Sequence, residues 1–357
     1  MRALLRWIRR LLPALAATAA HAQWTTAPVS APGVQYRLFQ SASAGTTVSF
    51  HIYLPPQYAA QPQARFPVLY WLHGSGDGTL GIPWLSNYFA TAMAQGRIPP
   101  MLVVYPNGMT YSMWCDSKSG AVPMESVVLD DLIPHVDANF RTLTTRRGRI
   151  LEGFSMGGQG AGRLGFRRPD LFGGVSMLGA GPIQLDFLDA PDNSTTPPKL
   201  RLQIYENVWG SDPAYYLAQH PWTIVEDRAP AVLAARTVVR QALGSLDALV
   251  PMNDDFDAHL DTLGIPHAYT VIPGVGHQPS TVLSSLGEAN WAFYNAVFTM
   301  PCPQPADLDC SGAVDAADLA AVLDAWGPGH GPADIDGDGL VGGTDLAGVL
   351  TAWGPIP

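Results

Sequence analysis

The sequence predicts an α/β fold, a mostly parallel sheet covered by helices on both faces, followed by a small all-α tail. Three observations carry this. Short β-branched and aromatic runs alternate with helix-period segments from residue 34 to residue 298. Charge is unevenly placed: residues 301–357 hold nine Asp and neither Lys nor Arg, so the tail carries −9 of the formal −10. A Pro-rich stretch at 301–306 lies between the two blocks and reads as a linker, giving domains at 23–300 and 307–357.

Residues 1–22 combine Arg2, Arg6, Arg9 and Arg10 with an apolar run over 11–20 and end on Ala20-His21-Ala22. This is the pattern of a secretory signal peptide cut after Ala22, so the protein is expected to be exported. No later stretch approaches ~20 uncharged apolar residues, so no membrane span is expected. Residues 23–300 hold 21 acids and 16 bases without a basic patch, which argues against nucleic acid as a partner.

Residues 34–40 and 46–54 alternate with period two and predict an antiparallel pair. The continuous apolar runs 66–72 and 101–105 predict buried central strands. Between them 84–94 suits a helix; 125–140 suits the next, with Val127, Val128, Leu132, Ile133 and Val136 on one side and Pro134 bending it. A strand at 149–152, a helix ending before Pro169, strands at 174–178, 237–242 and 268–272, and helices at 253–263 and 281–298 complete the alternation. Asp254 and Asp255 are expected in the first turn of the 253–263 helix, where acids suit the helix dipole.

Gly153-Phe154-Ser155-Met156-Gly157-Gly158 lies where the 149–152 strand meets its helix. In a G-x-S-x-G elbow the serine takes a strained conformation, and the flanking glycines let strand and helix approach closely. The hydroxyl of Ser155 is thereby exposed, and the helix N-terminus and the N–H of Met156 favour negative charge beside it. Such a serine needs a base. Gly274-Val275-Gly276-His277 follows the last strand and puts His277 at the carboxyl end of the sheet, where the elbow opens. His73 reads as part of the turn after the third strand, and His51, His135, His220, His259 and His267 as surface or packing residues. The base needs an orienting acid. Asp247, in Gly244-Ser245-Leu246-Asp247, follows a strand and precedes His277 in the order Ser, Asp, His; Asp212, in Gly210-Ser211-Asp212, is the alternative, and Asp247 is preferred.

Together with His73-Gly74-Ser75-Gly76 after the third strand, these motifs resemble the esterase branch of the α/β-hydrolases, which includes feruloyl and acetyl-xylan esterases, esterase D and the mycolyltransferases. The resemblance spans roughly residues 34–299. It implies an α/β-hydrolase sheet, Ser155 as nucleophile, His277 as base, Asp247 as orienting acid, and the N–H groups of Ser75 and Met156 as oxyanion hole. The segment 182–230 departs from that pattern, and its Tyr205, Trp209, Tyr215, Tyr216 and Trp222 either line an aromatic acyl pocket or pack a lid.

The tail repeats itself at an offset of 27: the loop 307–318 matches 334–345, and both repeats end in Ala-Trp-Gly. Oxygen ligands at loop positions 1, 3, 5 and 12, with Gly at 6, are the spacing of an EF-hand-like calcium loop. The candidate ligands are Asp307, Asp309, Ser311, Ala313 through its carbonyl, Asp315 and Asp318 in the first loop, and Asp334, Asp336, Asp338, Leu340 through its carbonyl and Asp345 in the second. Each loop leads into a short helix, at 319–326 and 346–353. The duplication resembles a type I dockerin, which implies bound Ca2+ and a cohesin-like partner reading Ala316-Ala317 and Gly343-Thr344. Cys302 and Cys310 are suited to pair in an oxidising compartment, leaving Cys115 odd. The expected activity is that of a secreted serine esterase acting on acyl groups of plant polysaccharide. The competing expectations are an idle hydrolase scaffold that docks through calcium, and an acyltransferase.

Overall fold

Why the chemistry gathers at one edge follows from how the strands end. The computed structural model describes residues 24–189, 196–300, 302, 304–308, 313–329 and 331–356. The signal peptide expected at 1–22, and Asp309, Cys310 and Ser311 of the first loop, lie outside the described residues. Eight strands form one sheet in the order β1-β2-β4-β3-β5-β6-β7-β8. β1 (Val34–Ser41) and β2 (Thr46–Tyr53) pair antiparallel, and β2 pairs antiparallel with β4 (Leu102–Pro106). β3 (Val68–Leu72), β5 (Arg149–Phe154), β6 (Gly174–Leu178), β7 (Val238–Gly244) and β8 (His267–Ile272) continue it in parallel from β4.

β3, β4, β5 and β6 are buried along their whole length, as their unbroken apolar runs require of strands covered on both faces. Alternate residues serve opposite cores. Val68, Tyr70 and Leu72 pack with Val128, Leu132 and Leu164 on one face, whereas Leu69 and Trp71 pack with Phe89, Tyr294 and Val297 on the other. Leu72 is level with Gly153, and Phe154 with Leu178. The strands therefore end together, and the loops after them share one rim.

Three helical expectations are refined. The 125–140 helix is interrupted: Met124–Ser126 passes into a π turn over Val127–Leu132 before Ile133–Asn139. Pro134 has no N–H to donate, and its ring crowds the carbonyl four residues earlier; the wider turn before it relieves that crowding. The 281–298 segment is two helices, Pro279–Ser285 and Glu288–Phe298, because Gly287 between them takes φ 55°. The 253–263 helix starts earlier, at Val250, so Asp254 and Asp255 lie in its second turn, and Asp254 accepts from the Tyr269 hydroxyl at 2.6 Å instead. The excursion after β6 contains three helices, Pro198–Trp209, Pro213–Ala218 and Pro221–Ala235. No helix among the described residues is long and apolar enough to cross a membrane.

The tail is not all helical. Its helices, Ala316–Asp324 and Gly343–Thr351, begin three residues before the expected positions. Two short antiparallel pairs tie the repeats crosswise: β9 (Ala313–Val314) with β12 (Gly354–Pro355), and β10 (Gly327–Pro328) with β11 (Leu340–Val341). The strand in each loop thus pairs with the segment behind the other repeat's helix. Val314, Val322, Val341 and Val349 form a small core between them. Cys302 is disulfide-bonded and Cys115 is free and buried.

Candidate active site

Ser155 sits between β5 and the helix Met156–Arg167 with φ 59° and ψ −119°, the strained turn expected of the elbow. The glycines around it have no substitute. A Cβ on Gly153 would lie 2.3 Å from the Gly157 carbonyl oxygen, and one on Gly157 would lie 1.9 Å from that of Leu72. Close approach of strand and helix is what forces the serine outward.

The two loops that bring the partners are held together in the same way. A Cβ on Gly244 would lie 2.0 Å from the Val275 carbonyl oxygen, and the N–H groups of Ser245 and Leu246 donate to the carbonyls of Ile272 and Val275 at 2.8 and 2.9 Å. This stitching sets Asp247 beside His277. The imidazole Nδ1–H donates to Asp247 Oδ2 at 2.6 Å, and its Nε2 lies 2.9 Å from Ser155 Oγ. Asp247 is buried and its Oδ1 accepts from the N–H of Leu249 at 3.0 Å. The Asp247 and His277 side chains are 1% and 20% exposed, so the acid is shielded while the base reaches solvent. The Phe154 ring packs on the imidazole, with centroids 4.6 Å apart.

Ser155, His277 and Asp247 are thus brought together. Asp212 is not among them: it accepts from the N–H groups of Ala214 and Tyr215 at the start of Pro213–Ala218 and pairs with Lys118, whose hydrogen bond lowers its pKa. Ser75 lines the same cavity as Ser155. Among the described residues, neither the Ser75 N–H nor the Met156 N–H is engaged in a hydrogen bond. Two unpaired donors beside a nucleophile are what an oxyanion site requires.

That cavity has a volume of about 560 Å³ and is walled by Trp71, Trp84, Tyr111, Phe154 and Leu200. The aromatics of the excursion are elsewhere. Tyr205, Trp209 and Tyr216 are buried around Phe187, Tyr215 donates its hydroxyl to the Asp116 carbonyl, and Trp222 stacks on His259 at 3.9 Å. They pack the lid. Trp84 and Tyr111, which wall the cavity, were not singled out from the sequence. Trp84, at the start of the helix Ile82–Ala94, stacks on Tyr88 and stays 37% exposed, and nothing in its sequence position marks it as a cavity wall.

In the tail, Asp334, Asp336 and Asp338 bring carboxylate oxygens within 4.8 Å of one another. Such an all-oxygen set fits a hard divalent cation. Asp345 turns its oxygens to the N–H groups of Ile335, Asp336 and Gly342 at 2.7, 3.2 and 2.8 Å. Asp318 accepts from Leu308 and Asp315 in the same manner, and Asp315 accepts from the N–H of Ala317. Ala313 and Leu340 are in the short strands β9 and β11, and Asp307 is buried.

A family model described as "Putative esterase" matches residues 41–249, which include Ser155 and Asp247 and stop short of His277. The chain belongs to this esterase family. It is 33% identical over 166 residues to an endo-1,4-beta-xylanase/feruloyl esterase of Xylanibacter ruminicola, covering 44% of this chain and 23% of that protein. It is also 33% identical over 140 residues to an esterase of Mycobacterium tuberculosis, covering 36% and 28%. The matches therefore span about a quarter of the length of these relatives. Among solved structures, a ferulic acid esterase superposes with a TM-score of 0.61 at 22% identity, over 74% of this chain and 98% of that one. An S-formylglutathione hydrolase from Agrobacterium tumefaciens gives 0.59 at 18%, over 76% and 98%. These likenesses are of fold: the chain has an α/β-hydrolase-type sheet flanked by helices.

Proposed function

We propose that the protein is an exported serine esterase that removes acyl groups, feruloyl or acetyl, from plant polysaccharide. The observation that carries the reading is the hydrogen-bonded run from Ser155 through His277 to Asp247. Ser155 Oγ attacks the ester carbonyl while His277 Nε2 takes its proton. Asp247 holds the imidazole in the tautomer that leaves Nε2 free to accept, and stabilises the imidazolium. The N–H groups of Ser75 and Met156 stabilise the oxyanion by about 3 to 4 kcal/mol per donor. Collapse expels the alcohol, protonated by His277, and leaves an acyl-serine. Water, deprotonated by His277, then releases the acid. The aromatic walls of the cavity and the feruloyl esterases among the similar proteins support an aromatic acyl group.

In the tail, Ca2+ would be held by Asp334, Asp336, Asp338 and Asp345 with the Leu340 carbonyl, and by Asp307, Asp309, Ser311, Asp315 and Asp318 with the Ala313 carbonyl in the first loop, neutralising carboxylates in a segment that supplies neither Lys nor Arg. A cohesin-like protein is the proposed partner of this module. The test is a panel of feruloylated xylo-oligosaccharide, acetylated xylan and short aliphatic p-nitrophenyl esters given to the purified protein. Release of ferulate or acetate from the saccharides is expected; turnover of the p-nitrophenyl esters alone would overturn the polysaccharide assignment, and turnover of none would overturn the esterase reading.

A further inference from the structure

The turn after β3 is pinned at three successive points. The Trp114 indole N–H donates to the His73 carbonyl at 3.1 Å, and the N–H of Gly76 donates to the Thr110 carbonyl at 3.0 Å. Between them the His73 side chain acts on its own loop: Nδ1 lies 2.7 Å from the Gly74 carbonyl oxygen, and Nε2 lies 3.0 Å from the backbone nitrogen of Gly108. A carbonyl can only accept and a backbone N–H can only donate, so Nδ1 carries the proton and Nε2 does not. The imidazole is clamped as well as clamping. A Cβ on Gly78 would fall 2.2 Å from the ring, and Trp114 packs edge-on against it at 5.1 Å. Burial lowers the pKa of His73, which favours this neutral form.

The carbonyl that His73 grips belongs to the Gly74–Ser75 peptide group. In a trans peptide the C=O and N–H point in opposite directions, so fixing one aims the other. Gly74 also runs against the nucleophile: a Cβ there would lie 3.2 Å from that of Ser155. We propose that His73 is a positioning residue of the oxyanion hole, its Nδ1–H holding the Gly74 carbonyl so that the Ser75 N–H faces the place where the substrate oxyanion forms. This rests on the acyl-transfer reading of Ser155. It assigns His73 a role distinct from that of a turn residue: it touches no reacting atom, and it acts through one peptide plane.

Two measurements test it. In protein carrying nitrogen-15 histidine, NMR should show His73 as the neutral Nδ1–H tautomer at pH 7. An Nε2–H tautomer would overturn the proposal without any variant. His73→Leu removes the donor at similar size, whereas His73→Asn keeps an N–H near the place of Nδ1. With p-nitrophenyl acetate, His73→Leu should lower kcat about 100-fold, within the range for losing an oxyanion donor, and leave KM nearly unchanged. Affinity for a trifluoromethyl ketone, whose adduct with Ser155 places an oxyanion in the hole, should fall by the same factor, while acetate binding stays constant. His73→Asn should recover at least tenfold of both losses. Equal losses in ketone and acetate binding, or His73→Asn no better than His73→Leu, would mark His73 as merely structural. Inertness of the unaltered protein toward every ester would instead overturn the reading of Ser155, and this proposal with it.

Discussion

At the serine end of the sheet Asp247 faces His277 at 2.6 Å, whereas in the tail three carboxylates lie within 4.8 Å of one another and residues 301–357 supply neither Lys nor Arg. The first site is assembled by close backbone packing and contains the partner for its own charge. The second gathers like charges by loop geometry, and under the proposed calcium reading it takes a cation from outside. One region should therefore be insensitive to calcium and intolerant of added atoms; the other should be the reverse.

The largest effect expected is at Ser155. Ser155→Ala should lower kcat by about 10⁵-fold or more while circular dichroism and melting temperature stay as in the unaltered protein. Activity retained within tenfold would remove the serine from the chemistry. Asp247→Asn should cost about 10⁴ in kcat, because an amide in that place favours the wrong imidazole tautomer. Asp212→Asn should leave kcat near its original value; a reversal of the two results would show that Lys118 and the helix cap are not the whole use of Asp212.

Intolerance of added atoms is measured at Gly157. Gly157→Ala places a methyl 1.9 Å from a buried backbone oxygen and should destabilise the catalytic domain by roughly 4 kcal/mol or more, seen in denaturant unfolding. A loss below about 1 kcal/mol would mean that the strand and helix can separate freely. Chelation probes the other side of the comparison. Excess EDTA should abolish the helical signal of the isolated 301–357 module and leave hydrolysis of a small soluble ester unchanged. Parallel loss of both would join what is here separated.

A smaller effect concerns acid. Burial pushes the His220 pKa down to about 3 from the usual 6.5, so the unfolded chain binds a proton there that the folded chain resists. Stability should fall as pH drops from about 6.5 toward 3, in the window set by those two values. His220→Asn keeps an acceptor for the N–H of Trp222 and should flatten that slope in melting temperature against pH. An unchanged slope would place the acid sensitivity elsewhere.

The strand pattern and the Ser155, His277 and Asp247 motifs were legible because each is local: an apolar run, a glycine-bracketed serine, a histidine after a strand. What depended on three-dimensional neighbours was not. The walls of the cavity come from Trp84 and Tyr111, in segments that reach it only after folding, while the Trp- and Tyr-rich excursion that drew attention spends its rings on Phe187 and His259. Periodicity over 281–298 continues through Gly287, and only its φ of 55° divides the helix. His73 looked like a turn residue because its two partners are backbone groups, one of them 35 residues away.

The most direct test of the central claim is covalent labelling with a fluorophosphonate followed by intact-mass and peptide analysis, with and without EDTA. The account predicts a single phosphonyl group per chain, carried by Ser155, formed at the same rate in both conditions and absent from His277→Ala. Labelling at another residue, or labelling that needs calcium, would contradict it.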